Sequence, residues 1–181
     1  FGKSWKDGAI YCDPRTADLG CRAILPKASA IEKLGTWKLG SGDLAKYHKR
    51  RIELGVPDGS RDMVVEKSIL LENNFEQLNR VDWEKGCYVG QELTARTKYR
   101  GLIKKRLMPV EFDGVTPATG TPISLEGRDA GEIRSVQDNV GLALLRLAKI
   151  EEAKESGQPL IAEDTRIIPK LPIWTLDNVN Q

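Results

Sequence analysis

The sequence predicts an α+β protein in two parts: an α+β portion over residues 1–100, then a small antiparallel β-barrel with a tail over 101–181. Two observations carry this. Up to Tyr99, short β-prone runs alternate with stretches of helical character. From Leu102 onward, short β segments follow one another at regular intervals, separated by Gly, Pro, Asp and Asn, which is the texture of a small barrel or sandwich. The boundary falls near Arg100-Gly101.

Residues 9–13 and 21–25 read as two strands, joined by Asp13-Pro14-Arg15-Thr16-Ala17-Asp18-Leu19-Gly20. Residues 26–40 show no regular pattern. Ser41-Gly42-Asp43 supplies N-cap chemistry for a helix over 44–54, and Gly55 stands where a left-handed C-terminal residue is needed. Val56-Pro57-Asp58-Gly59 is a turn, 63–66 a short strand, and 69–78 a connector. A helix is expected over 91–97. In the second part, strands are expected at 106–112, 121–125, 130–136 and 140–147, then a short charged helix at 150–155 and a last strand pair at 158–162 and 165–169. The tail from Leu171 either packs through Trp174 or frays.

Hydrophobic content of 40% and charged content of 30% over 181 residues are ordinary for a globular chain. No apolar run approaches the ~20 residues of a membrane span, and no secretory signal opens the chain. The first residue is Phe1 rather than Met, as in a processed or trimmed chain, so any transit peptide is expected to lie outside it. With 28 basic and 26 acidic residues, the net charge of +2 gives no footprint for nucleic acid. Basic and aromatic residues do interleave around Tyr99-Arg100-Gly101, but a solvated barrel edge is the preferred reading there, as a solvated face is for the run Lys46-Tyr47-His48-Lys49-Arg50-Arg51. Three cysteines, Cys12, Cys21 and Cys87, without regular spacing argue against a disulfide framework and for a reducing compartment. Without a CxxC motif, and with His48 as the single histidine, a self-contained zinc site is not expected. Cys12 and Cys21 read as core or half-buried strand residues, His48 as a surface residue, and Asp13 with Arg15 as a structural pair.

The chemistry concentrates in Lys85-Gly86-Cys87-Tyr88-Val89-Gly90-Gln91-Glu92, followed by Leu93-Thr94-Ala95-Arg96. Gly86 and Gly90 bracket Cys87 and let a partner approach the sulfur. A helix starting just beyond would present free N–H groups and its positive dipole end, which favour negative charge on the sulfur, and Lys85 and Arg96 would add to it. Such a thiolate attacks electrophiles or ligates soft metals, including the iron of a cluster. Composition alone favours a buried structural cysteine.

The octapeptide, with the Leu-Thr-Ala-Arg that follows it, resembles the signature of the YgfZ family, relatives of the glycine-cleavage T-protein. Supporting matches run in the same order: Asp13-Pro14-Arg15 with Leu19-Gly20, Arg51-Ile52-Glu53-Leu54-Gly55 with Val56-Pro57, and Leu71-Glu72-Asn73-Asn74. Leu93-Thr94-Ala95-Arg96-Thr97 and Lys104-Lys105-Arg106-Leu107-Met108-Pro109-Val110 look more like the mitochondrial branch than the bacterial one. The resemblance implies a partial T-protein-like fold, with this chain beginning inside it, beyond the family's N-terminal portion. It further implies an assembly factor of the mitochondrial matrix, acting in [4Fe–4S] protein maturation with A-type iron–sulfur carrier proteins. Cys87 would be the cluster ligand, within a motif of Lys85, Gly86, Gly90, Gln91, Glu92 and Arg96. Glu72 matches the acidic residue that grips the pterin in T-protein-like pockets, so tetrahydrofolate is a possible second ligand. Gln91 stands where aminomethyltransferases tend to carry Arg, which counts against the T-protein reaction.

Three functions therefore compete. The first is a non-enzymatic assembly factor sharing an iron–sulfur cluster with a carrier, with no catalytic residue of its own. The second is a folate-dependent one-carbon (aminomethyl) transferase. The third, a nucleic-acid-binding module, is opposed by the near-neutral charge.

Overall fold

The computed structural model describes residues 2–101 and 103–172. The chain opens with three antiparallel strands, β1 (Gly2–Trp5), β2 (Gly8–Cys12) and β3 (Cys21–Ile24), lying side by side in that order. The pairing of β2 with β3 follows the sequence reading, and β1 is an addition that pairs with β2 from Gly2 opposite Tyr11 to Trp5 opposite Gly8. Helix α1 (Ala30–Thr36) forms where no regular pattern was legible. Its side chains bury nothing completely, Ser29 does not cap it through its hydroxyl, and Trp37 just beyond it meets Trp5 edge-on at 6.1 Å between ring centroids.

Helix α2 (Leu44–Glu53) starts at Asp43, whose Oδ1 accepts the Ala45 N–H at 2.9 Å, and ends before Gly55 at φ 68°. A short helix α3 (Gly59–Asp62) is capped in the same way by Asp58. The strand expected at 63–66 is absent. Glu66 takes φ 61°, and the Ser68 hydroxyl accepts the Val64 N–H at 2.7 Å, so the two valines sit in a turn rather than a ladder. The connector at 69–78 contains a 3₁₀ turn, Leu70–Asn73, and α4 (Gln91–Tyr99) begins at the expected residue and runs two residues further.

Strands β4 (Lys105–Asp113), β5 (Pro122–Leu125), β6 (Arg128–Gln137), β7 (Val140–Arg146), β8 (Leu160–Ala162) and β9 (Thr165–Pro169) close an antiparallel barrel in the order β4-β7-β6-β5-β8-β9, with helix α5 (Leu147–Ser156) between β7 and β8. The fold class is thus α+β with a small closed barrel, as the sequence predicts. Residues 173–181, including Trp174, lie outside the described residues. Among the described residues, no helix is long and apolar enough to cross a membrane.

Alternation along the barrel strands sorts side chains into two cores. Met108, Val110 and Phe112 of β4, with Ala143 and Leu145 of β7, join the core that also contains Ile133 and Ile167. Their neighbours Leu107, Val140 and Leu142 pack instead against Ile52 of α2. The barrel therefore offers α2 an apolar seat on its outer face.

A polar lock completes that seat. Arg51 of α2 donates to Asp62 Oδ2 at 2.7 Å, to the Ser135 hydroxyl of β6 at 2.9 Å and to the Val56 carbonyl at 3.3 Å. The side chains of Arg51 and Asp62 are 2% and 0% exposed, so the basic run 46–51 is not wholly the solvated face that its composition implied. His48, expected at the surface, is half-buried: its Nδ1 accepts from Arg51 Nε at 3.3 Å, and burial together with the charges of Arg61 and Arg51 pulls its pKa down. Removing one member of a buried ion pair strands the other charge, at about 3–5 kcal/mol. Asp62→Ala is expected to lower unfolding free energy by that amount in urea titrations, and adding Arg51→Met to recover part of it. A loss below about 1 kcal/mol in the single variant, the range of a surface pair, would place the pair in solvent.

Candidate functional site

The segment that carries Cys87 is a loop held at both ends. At its start, Asp82 Oδ1 accepts the N–H groups of Glu84 (2.9 Å) and Lys85 (3.1 Å). At its end, Gln91 and Tyr88 bond reciprocally: the Gln91 side-chain oxygen accepts the Tyr88 N–H at 3.1 Å, and the Gln91 N–H donates to the Tyr88 carbonyl at 3.2 Å. Gln91 thus closes the turn that follows the cysteine.

Between these clasps Gly86 and Gly90 adopt φ 83° and 87°, left-handed values that cost an L-residue about 1–2 kcal/mol. A Cβ at either position would find no atom within 4 Å. The glycines are there for backbone shape, and the space beside them is open. Cys87 is exposed, four residues ahead of the first residue of α4.

The charged neighbours singled out in the sequence are engaged elsewhere. Lys85 Nζ lies 4.3 Å from the centroid of the Tyr88 ring. Arg96 faces Glu92 one helical turn earlier, at 3.4 Å. Sequence reasoning missed the supports beneath the loop. Lys98 of α4 pairs with Glu76 and lies 4.2 Å from the Trp83 ring centroid, and Trp83 meets Tyr99 edge-on at 6.4 Å. A tryptophan in an otherwise polar loop was the available signal. Val89, Leu93 and Tyr99 remain exposed around this segment.

Glu72 sits in the 3₁₀ turn Leu70–Asn73, which packs on one side against α4 and on the other against β4. It is half-buried, and burial raises its carboxyl pKa against the opposing pull of the Lys105 charge and N–H and of Arg146. Two residues on, Asn74 is fully buried at φ 64° and donates to the carbonyls of Leu107 (2.8 Å) and Gly55 (3.4 Å), fixing the turn to the barrel. Among the described residues no hydrogen bond or ion pair links Glu72 to the Cys87 loop; the 3₁₀ turn that carries Glu72 contacts α4, the helix that follows that loop.

The Asp13–Arg15 pair forms, as expected. Asp13 accepts from Arg15 Nε at 2.9 Å and Nη2 at 2.7 Å and from Arg22 at 2.5 Å, and Arg15 first among these holds its carboxyl well below the usual range. Cys12 is half-buried, but Cys21 is exposed rather than in a core, because β3 is an edge strand whose four residues all face solvent.

The model of the CAF17 C-terminal beta-barrel domain matches residues 104–176. The mouse protein "Iron-sulfur cluster assembly factor IBA57, mitochondrial" is 40% identical over 166 residues, covering 87% of this chain and 45% of the relative. Its human counterpart is 42% identical over 161 residues, with 83% and 44% covered. The chain belongs to the T-protein-like IBA57 family. It spans less than half the length of these two relatives. A solved structure, the glycine cleavage system aminomethyltransferase T from Bartonella henselae, superposes with a TM-score of 0.65 over 93% of this chain and 50% of that one. At 17% identity it shows the shared fold alone.

Gly90→Ala is expected to cost about 1–2 kcal/mol, all of it conformational. Amide exchange should speed up across Gln91–Tyr99 and stay unchanged in β4 and β7. Unchanged exchange in the helix would mean that its start does not depend on the left-handed glycine.

Proposed function

We propose that this protein acts in iron–sulfur cluster assembly in the mitochondrial matrix, with Cys87 offering one thiolate to a cluster it shares with, or passes to, an A-type carrier during [4Fe–4S] maturation. The mouse and human relatives are named mitochondrial iron–sulfur cluster assembly factors, which supports the coarser part of this reading. The observation that carries the finer part is the exposure of Cys87 between two glycines with open space beside them. A cargo ligand has to be reachable, and a soft thiolate is the right donor for cluster iron.

A cluster takes about four ligands. Among the described residues, no group of three His, Cys, Asp or Glu side chains gathers to hold a metal. The remaining ligands then come from the carrier, and the complex is the functional unit. Exposed Val89 and Leu93 give the carrier apolar surface to bury next to the sulfur.

A second reading, a folate-dependent aminomethyl transferase, draws on half-buried Glu72 at the seam with the barrel, where a carboxylate suits the two donors of an aminopterin edge. Titration with a cluster-loaded carrier, followed by visible absorption and complex mass, separates the two. Cys87→Ser should abolish the coloured complex while leaving the fold intact, since a hydroxyl is a poor ligand for cluster iron and the site has room. Glu72→Ala should keep the complex. If the Ser variant keeps it, and Glu72→Ala instead loses tetrahydrofolate binding and activity, the protein is a folate enzyme.

A further inference from the structure

Two of the three cysteines stand apart from the Cys87 site, and they face each other. β2 and β3 pair so that Cys12 lies directly opposite Cys21. The next pair along the ladder, Asp13 with Gly20, is hydrogen-bonded, the Asp13 N–H donating to the Gly20 carbonyl at 2.9 Å. Bonded and non-bonded pairs alternate in an antiparallel ladder, so Cys12 and Cys21 occupy a non-hydrogen-bonded pair, where Cα atoms approach to about 4.5 Å and side chains are closest. That spacing lies within the range a disulfide spans, about 4.4–6.8 Å. The two sulfurs are already 3.7 Å apart.

The surrounding contacts keep them so. Asp13, next to Cys12, is held by Arg15 and by Arg22, the residue after Cys21, so one ion-pair network spans both strands beside the thiols. Thr16 caps the 3₁₀ turn Ala17–Leu19 in the connecting loop. Closing the sulfur separation to the ~2.05 Å of an S–S bond takes a small further movement of the two side chains. Cys21 is open to solvent and Cys12 is half-buried, so Cys21 is the first to meet an external disulfide.

We propose that Cys12 and Cys21 form a reversible dithiol–disulfide site, oxidised by small disulfides of the glutathione type and separate from the Cys87 site. The Cys21 thiolate attacks one sulfur of oxidised glutathione, forming a mixed disulfide and expelling one glutathione thiolate. The Cys12 thiolate then attacks the Cys21 sulfur, forming the cross-strand bond and expelling the second glutathione. Two protein thiols lose two protons and two electrons, and one glutathione disulfide becomes two thiols. The product ties the two strands together across the Asp13–Arg15 loop and leaves Cys87 as the remaining single cysteine.

The test equilibrates the protein with graded mixtures of oxidised and reduced glutathione, quenches with acid, alkylates free thiols and maps peptides by mass. The expected product is a linked Cys12–Cys21 peptide pair, lighter by two hydrogen atoms and carrying no glutathione, which reverts on return to reduced glutathione. Cys12→Ser should leave Cys21 as a glutathione adduct, and protein unfolded in urea should lose the preference for the internal bond. Both cysteines remaining free in mixtures that modify Cys87, a stable glutathione adduct on Cys21 of the wild type, or a bridge from either to Cys87 would each overturn the proposal.

Discussion

The buried guanidinium of Arg51 is the constraint on which the arrangement depends. It joins three elements: α2, which carries it, α3 just beyond it through Asp62, and the distant barrel strand β6 through Ser135. The pair resists solvent because Ile52, Leu107, Val140 and Leu142 seal the adjoining face of the barrel. A buried ion pair adds little net stability over an apolar pair of the same shape, yet it tolerates no loss of one partner. What it gives this fold is register, since α2 has one position on the barrel in which Arg51 finds Asp62, Ser135 and the Val56 carbonyl together.

From that register the rest follows by contact. The chain leaves α2 through Gly55, whose carbonyl accepts from Asn74, and Asn74 also reaches the Leu107 carbonyl of β4. The 3₁₀ turn ahead of Asn74 supports α4, and Lys98 of α4 grips Glu76 and Trp83 under the loop. The site of Cys87 is thus braced from the barrel outward, while the loop itself stays open. On the proposed reading, an accessible thiol on a braced base suits a cargo that has to be presented and then released.

Much of this was legible in the sequence, for physical reasons. The barrel strands announce themselves because short β-prone runs recur between Gly, Pro, Asp and Asn, whereas the division of β4 between two cores is hidden, since Leu107, Met108, Pro109 and Val110 are all apolar and all buried. Helix α2 and its limits were visible because Asp43 and Gly55 carry end signals that depend on local backbone chemistry alone. Helix α1 was not, because it is short, buries no residue completely and offers only Ala30, Ile31 and Leu34 as an apolar face. Val64 and Val65 imitated a strand, but their place is decided by a left-handed Glu66 that composition does not reveal. Burial of Arg51 depends on Asp62 and Ser135, eleven and 84 residues away, and a basic run gives no hint of either. The open glycine turn around Cys87 was legible in the sequence, whereas the facing of Cys12 and Cys21 needed the strand register.

The central claim, that Cys87 ligates a shared cluster, is tested most directly by footprinting the thiol itself. The protein is mixed with a carrier in its cluster-loaded and cluster-free forms, pulsed with iodoacetamide under anaerobic conditions, and alkylation of Cys87 is quantified against exposed Cys21 as an internal reference. The account predicts that Cys87 is protected by the loaded carrier and labelled at its free rate with the cluster-free one, while Cys21 reacts alike in both. Equal labelling of Cys87 in the two mixtures, with the coloured complex present, would contradict it.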